Sequence, residues 1–245
     1  MKFFGIIPAR YASTRFPGKP LVVINGQTMI QRVYEQASKV KLLSKVVVAT
    51  DDARIYEHVT GFGGQVEMTS ELHASGTDRC FEAAQKLGIS ANDVVVNIQG
   101  DEPFISPLQI ELLCTCFDNP TVDIATLVKK IANQNELENT STPKVIINKN
   151  RDAIYFSRSI IPHLRGKEIK EWLTDTDYFK HIGIYGYRMK TLSEITKLPQ
   201  SKLELAESLE QLRWIENGYK INTAVTEIES TAVDTPQDLE KLREM

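Results

Sequence analysis

Three short runs of almost unbroken apolar residues, at 3–9, 45–50 and 93–99, constrain this chain more than any other feature. A strand with one wet face alternates apolar and polar residues, whereas a strand buried on both faces is apolar throughout. Stretches of helical period separate these runs. Met29, Val33, Ala37 and Val40 fall on one helix face, and further helices are expected at 52–60, 77–87 and 107–117, the last opened by Ser106 and Pro107. A short strand is expected at 65–68, and Gly61-Phe62-Gly63-Gly64 reads as a helix C-cap and turn. The alternation predicts an α/β fold of three α/β/α layers around a mostly parallel, mixed sheet, Rossmann-like in outline.

After residue 120 the pattern changes. Strands are expected at 123–130, 144–148 and 153–156 without long helices between them, which suggests antiparallel or mixed pairing. A strand at 181–188, helices at 191–198 and 202–217 and a strand at 221–228 follow. Thr235 as N-cap, Pro236 at N1 and Asp238 at N3 set a closing helix. The segment 159–178 is polar and without period. It belongs to an arm inserted at about 149–180 in a single domain spanning 1–245. Ile160, Ile161, Pro162, Leu164 and Trp172 leave this arm apolar side chains without an evident partner, so it is expected to pack against a second copy in a homodimer.

Chemistry concentrates at strand ends. The loop after the first strand carries Arg10, Arg15 and Lys19 among small and hydroxyl residues. Three cations on one loop repel unless an anion neutralises them, and a polyphosphate suits the Arg fork and the Lys point charge. A solvated basic loop is the plain alternative; the position at a strand's C-terminal end, where α/β sheets bind ligands, favours a site. Gly18-Lys19 is followed by Pro20 and has no Gly five residues earlier, so this is no Walker A loop, and no G-x-G-x-x-G occurs. Asp101 ends the central run through Gly100. By itself it fits a solvated turn; beside the cation loop it fits Mg²⁺, which takes one or two carboxylates plus substrate phosphates. Gln99 reads equally as a ligand-reading amide or a satisfied strand-end amide. The formal net charge of −3, from 29 Lys and Arg against 32 Asp and Glu, argues against a nucleic-acid surface. Cys80, Cys114 and Cys116 lack metal spacing and fit free thiols in a reducing compartment. The first apolar run ends at Arg10, too short for a signal peptide, and nothing reaches the ~18 apolar residues of a spanning helix. A soluble, cytoplasmic protein without membrane insertion is expected.

The cation loop resembles the opening signature of nucleotide-sugar pyrophosphorylases, in particular the cytidylyltransferases that activate 3-deoxy-manno-octulosonate (Kdo). The matching blocks run in order along the chain: IIPARYASTRFPGKPL at 6–21, VATDD at 48–52, SGTDR at 75–79, VNIQGDEP at 96–103, YFSR at 155–158, HIGIYGYR at 181–188, LEQLR at 209–213 and VDTPQDL at 233–239. The resemblance implies a nucleotide-diphospho-sugar transferase-like fold with a nucleotide-binding part at about 1–120. An acceptor-binding and dimerisation part at about 121–230 follows. It implies that Ser75 and Arg79 contact the nucleotide, although Ser75 also suits plain helix capping. It supplies Asp234 as the second Mg²⁺ ligand opposite Asp101. A 2-keto sugar acid presents a carboxylate and many hydroxyls, for which Arg158, His181, Tyr185, Glu210 and Gln211 are candidates beside Gln99. His181 and Tyr185 lie four apart and face one side of a strand. Glu204, Glu207 and Glu210 follow an i, i+3, i+6 line that reads as a solvated helix face, and only Glu210 is moved to the site, because LEQLR matches. His58, His73 and His163 read as surface or capping residues.

The implied reaction is CTP plus Kdo giving CMP-Kdo and diphosphate. Arg10, Arg15, Lys19 and Asp101 would act at the reacting phosphates. The competing readings are a cytidylyltransferase for another sugar acid such as sialic acid, a sugar-1-phosphate pyrophosphorylase using another nucleotide, and a non-catalytic nucleotide-binding module.

Overall fold

Phenylalanine and isoleucine pairs, with no polar side chain between them, leave β1 (Phe3–Ala9) no wet face, and Ile6 and Ile7 are fully buried. In the computed structural model, residues 1–12, 16–229, 232–233 and 235–243 are described. A tight hairpin follows β1, formed by β2 (Val23–Ile24) and β3 (Gln27–Thr28) around Asn25 and Gly26, both at positive φ. Then come α1 (Met29–Ser38), β4 (Leu43–Thr50), α2 (Ala53–Gly61), β5 (Val66–Met68), α3 (Gly76–Lys86), β6 (Val94–Asn97) and α4 (Pro107–Thr115). Thr28, Asp52 and Ser75 cap the first three helices through their side chains. The face expected of α1 is the buried one, with Met29, Val33 and Ala37 inaccessible.

The remaining elements are β7 (Ile124–Lys130), α5 (Gln134–Glu138), β8 (Lys144–Ile147), β9 (Ala153–Ser157), α6 (Trp172–Asp175), β10 (Phe179–Arg188), α7 (Met189–Ile195), α8 (Lys202–Glu207), α9 (Gln211–Glu216), β11 (Asn222–Val225) and α10 (Pro236–Arg243). Contacts group the chain into two compact units, 1–114 with 184–196 and 230–245, and 115–183 with 197–229.

In the first unit the strand order is β10-β6-β1-β4-β5. β1 pairs parallel with β4 and β6, β4 parallel with β5, and β10 runs antiparallel to β6 with Tyr185 opposite Asn97. The chain moves outward from β1 through β4 to β5, then returns past β1 to β6. Right-handed crossovers therefore put α1 and α2 on one face and α3 on the other. That reversal makes the carboxyl ends of β1 and β6 a topological switch point, the place where open α/β sheets bind ligands. The end of the chain returns there as well. Val233 and Leu239 are buried with Ile24 and Met29, each large side chain contributing about 1.5–3 kcal/mol. The predicted cap holds: Thr235 Oγ1 accepts from Asp238 N, and Asp238 Oδ2 accepts from Thr235 N.

In the second unit β11 pairs parallel with β7, and β8 runs antiparallel to β9 and to the start of β10. Three expectations fail here. The helix expected at 202–217 is two helices, because Ser208 adopts a left-handed conformation (φ 51°) that ends α8. The solvated acidic face is not solvated: Glu204 is buried and forms a two-pronged pair with Arg213 at 2.8 and 2.5 Å, while Glu207 accepts from Ser157 Oγ and the Arg158 amide. The apolar residues of the arm are also not partnerless. Trp172 is buried with Ile131, Leu137 and Tyr178, and Ile160, Leu164 and Leu173 pack on that cluster.

Candidate active site

At the switch point of the first unit, Pro8, Arg10, Lys19, Gly76, Gln99 and Asp101 line a cavity of about 400 Å³. Two glycines are required by its geometry. A Cβ on Gly100 would stand 2.8 Å from the Pro8 carbonyl oxygen, so only glycine lets the ends of β1 and β6 approach this closely. Gly18, at φ 72°, turns the cation loop back toward the sheet and donates its N–H to the Tyr11 carbonyl.

That turn delivers Lys19. Its ammonium donates to Asp101 Oδ2 at 2.8 Å and to the Val233 carbonyl at 2.9 Å. The Val233 amide in turn donates to the Asp101 carbonyl at 2.9 Å, so the C-terminal segment is stitched to the strand tip. Arg15 and Asp234 lie outside the described residues. Arg10 is exposed at the edge of the cavity. A carboxylate and a main-chain carbonyl already converge on a positive charge here, which is the hard-oxygen chemistry that suits Mg²⁺. Among the described residues no three Asp, Glu, His or Cys side chains form a metal cage.

The other nucleotide-side residues are more committed than the sequence indicates. Arg79 is 1% exposed and donates to Asp51 Oδ2 and Thr69 Oγ1, both at 2.5 Å, so two of its five hydrogens are spent inside the protein although it reaches the cavity wall. Ser75 forms a capping box with Asp78. Gly76, at the first turn of α3, lines the cavity, where exposed amides favour anions. Gln99 is half-buried and its amide reaches Asn97 Oδ1 only at 3.5 Å. Asp51 and Thr69 hold Arg79, and the sequence carries a signal for Asp51 alone, in VATDD at 48–52.

In the second unit, the Arg158 guanidinium donates to the carbonyls of Glu207 (2.7 Å), Thr140 (3.1 Å) and Ser208 (3.3 Å). Three of its five hydrogens are used, leaving one on each terminal nitrogen. The His181 ring is enclosed against Phe156 and bonds Thr126 Oγ1 through Nε2 at 2.9 Å. Burial pushes its pKa down to about 3, so the ring is neutral at physiological pH. Gln211 opens α9 and is buried, and its Nε2 has no hydrogen-bond partner among the described residues. An unmet buried donor of this kind suits a ligand hydroxyl or carboxylate. Glu210 precedes it, 4.0 Å from Arg213. Tyr185 belongs to the first unit, buried on β10 and stacked on Tyr187 at 5.8 Å. His58 bonds Thr28, His73 pairs with Glu82 and His163 packs edge-on to Trp172, none of them ligand-like. A larger cavity of about 640 Å³ in the second unit, lined by Asn119, Asp123, Asp152 and Lys220, contains none of the predicted residues. The smaller cavity is the better site because loop cations, a strand-tip carboxylate and a helix N-terminus meet at the sheet's switch point.

A family model described as cytidylyltransferase matches residues 4–221. A protein of Parabacteroides distasonis named 3-deoxy-manno-octulosonate cytidylyltransferase is 61% identical over 98% of this chain and 96% of its own length. A protein of that name in Bacteroides thetaiotaomicron is 58% identical over 100% of this chain and 98% of its own. Among solved structures, a CMP:2-keto-3-deoxy-manno-octonic acid synthetase complexed with CTP superposes with a TM-score of 0.91 at 44% identity, covering 100% of this chain and 98% of that one. A 4-diphosphocytidyl-2C-methyl-D-erythritol synthase from Anaerococcus prevotii shares the fold at a TM-score of 0.63 and 12% identity, over 99% of this chain and 97% of that one.

Proposed function

The chain belongs to the cytidylyltransferase family, and from that premise we propose that it activates 3-deoxy-manno-octulosonate with CTP, giving CMP-Kdo and diphosphate. The reading is carried by the meeting of Lys19, Asp101 and the Val233 carbonyl at the switch point of the sheet, in a chain similar end to end to proteins named for this activity. The anomeric hydroxyl of the sugar acid attacks the α-phosphorus; the new O–P bond forms as the bond to the bridging oxygen breaks, and the electron pair leaves with diphosphate. No covalent enzyme intermediate is needed, so catalysis is positioning and charge neutralisation. Arg10, Arg15 and Lys19 neutralise the triphosphate and the leaving diphosphate. Asp101, with Asp234, would hold Mg²⁺, which when bound supplies Lewis acidity at the α-phosphate and lowers the pKa of the attacking hydroxyl. Gly76 and Gln99 line the nucleotide side, with Ser75 capping the helix behind them and Arg79 in the wall.

For the acceptor, the two remaining Arg158 hydrogens suit the sugar carboxylate, and Gln211 Nε2, Glu210, neutral His181 and Tyr185 suit hydroxyls. We further assign the enzyme to the cytoplasm and to a homodimer; its cation cluster serves a small anion, not nucleic acid. Among the described residues no helix is long and apolar enough to cross a membrane.

The test is diphosphate release from CTP and UTP across a panel of sugar acids. CTP with Kdo is expected to be preferred. Preference for sialic acid moves the specificity, turnover with UTP and a sugar 1-phosphate moves the class, and nucleotide binding without diphosphate release makes the protein a non-catalytic module.

A further inference from the structure

Glu207 reads in the sequence as part of a solvated acidic stripe, yet no other residue of the second unit is so closely tied to Arg158. Its carboxylate accepts from Ser157 Oγ at 2.7 Å and from the Arg158 amide at 2.9 Å. Its own carbonyl accepts from Arg158 Nε at 2.7 Å, and the next carbonyl, that of Ser208, accepts from Arg158 Nη2 at 3.3 Å. The relation is reciprocal: Glu207 fixes the main chain of Arg158, and the Arg158 guanidinium caps the C-terminal end of the helix that carries Glu207.

The turn held in this way is the left-handed one at Ser208. Leu209, Glu210 and Gln211 follow directly, so the conformation at Ser208 sets where the side chains of Glu210 and Gln211 emerge. The opposite side of Arg158 is anchored by Lys144. This fully buried ammonium donates to the carbonyls of Asn139 (2.7 Å), Thr142 (2.9 Å) and Arg158 (3.0 Å). It thereby holds the 139–142 segment, whose Thr140 carbonyl accepts from Arg158 Nη1 at 3.1 Å. Burial, and then the nearby Arg158 charge, push the Lys144 pKa down, and Glu207 pulls it up. The Glu207 carboxylate is therefore also a counter-charge to Lys144.

We propose that Glu207 is a positioning residue for the acceptor: by locking Arg158 to the Ser208 turn it fixes Arg158, Glu210 and Gln211 in one arrangement for an anionic sugar acid. It touches no reacting atom. The proposal rests on the acceptor reading given above, and it adds a device for specificity that the sequence motifs do not contain. A carboxylate placed by one Arg and hydroxyls placed by a turn are selective only if the two cannot move independently.

The test compares wild type, Glu207→Ala, Glu207→Gln and Ser157→Ala, with KM for CTP and for the sugar acid measured separately beside thermal melting. Turnover of the wild type with Kdo, or with whichever sugar acid it prefers, first settles the acceptor reading independently of the variants. Glu207→Ala is expected to raise the acceptor KM by about tenfold or more, the effect of losing hydrogen bonds to a charged group. KM for CTP should stay within about twofold. Glu207→Gln keeps one acceptor oxygen and should recover part of the loss, and Ser157→Ala should give a smaller shift in the same direction. Hydrogen exchange should accelerate at the amides of 208–211 in Glu207→Ala. Should Glu207→Ala fail to fold, Glu207→Gln and Ser157→Ala decide by the same split. An acceptor KM unchanged in the folded variants, or both KM values rising together with lowered melting, overturns the proposal and leaves Glu207 a purely structural residue.

Discussion

Lys19 and Asp101 show how little a pair of residues means apart from its setting. On a surface, an ion pair at 2.8 Å would contribute on the order of 0–1 kcal/mol. Here it stands at the end of two parallel strands with a carbonyl of the distant C-terminal segment completing it, and its consequence is for turnover. Asp101→Asn keeps the shape and removes the hard anionic ligand, so kcat is expected to fall by about 100-fold or more with melting little changed. Lys19→Ala should cost about two to three orders of magnitude. Near wild-type turnover of either variant at saturating Mg²⁺ refutes the assignment. His181 yields a prediction of a different kind. Its pKa is about 3 in the folded protein against about 6.5 in an unfolded chain. The unfolded state therefore takes up a proton that the folded state refuses. The contribution is fully present above about pH 6.5 and is lost as pH falls toward 3, with a slope of up to about 1.4 kcal/mol per pH unit. Denaturant unfolding across that range should be steeper for wild type than for His181→Gln. Parallel curves would show that the imidazole is not held neutral.

At the scale of elements, the chain announced itself where burial on both sides leaves no choice of residue. β1, β4 from Val46 to Ala49 and β6 from Val94 to Val96 are apolar without interruption, and their parallel pairing follows from the helices between them. The caps at Ser75 and Thr235 were legible because a short hydroxyl side chain and a following Asp bond the backbone locally. The cation loop and the strand-tip Asp101 were legible for the same local reason: each needs only a strand and its next few residues. The break between α8 and α9 was not. Ser208 is no obvious breaker, and acidic residues three apart look alike on a solvated face and on one that meets Arg213 and Arg158. Such partners come from elsewhere in the chain, and no local period reports them. The glycine at the strand tips gives the matching test. Gly100→Ala would drive a Cβ to 2.8 Å from the Pro8 carbonyl, and backbone cannot yield as a side chain can. The expected outcome is a loss of about 1–3 kcal/mol of stability together with weakened CTP binding, read by melting and by nucleotide titration. A variant with unchanged CTP affinity would mean that the approach of β1 and β6 does not shape the nucleotide site.

For the whole molecule, the arm around 149–180 carries apolar residues whose partners include Ile131 and Leu137, outside the arm itself. Its apolar residues are expected from sequence to need a second copy of the chain, but Trp172 is buried with Ile131, Leu137 and Tyr178 of the same chain, and Ile160 and Leu164 pack, partly buried, against that cluster. Trp172 also donates its indole N–H to the Lys167 carbonyl at 3.1 Å, as a buried tryptophan must find a partner. The proposed dimer consequently cannot depend on exposing this cluster. It would have to use side chains that remain accessible, such as Ile154, 53% exposed on β9, and Ile169, 42% exposed. The two roles separate experimentally. Trp172→Ala is expected to cost about 3–5 kcal/mol of stability, the usual consequence of emptying a large aromatic site, while leaving the molar mass in light scattering equal to that of wild type. Ile154→Lys should leave melting nearly unchanged and, where β9 carries the contact, reduce the mass toward the 27.7 kDa of one chain. A wild-type mass of 27.7 kDa with full activity at micromolar concentration rules out the homodimer altogether. A Trp172→Ala protein that is well folded but monomeric, from a dimeric wild type, would restore the arm's apolar core as the subunit contact.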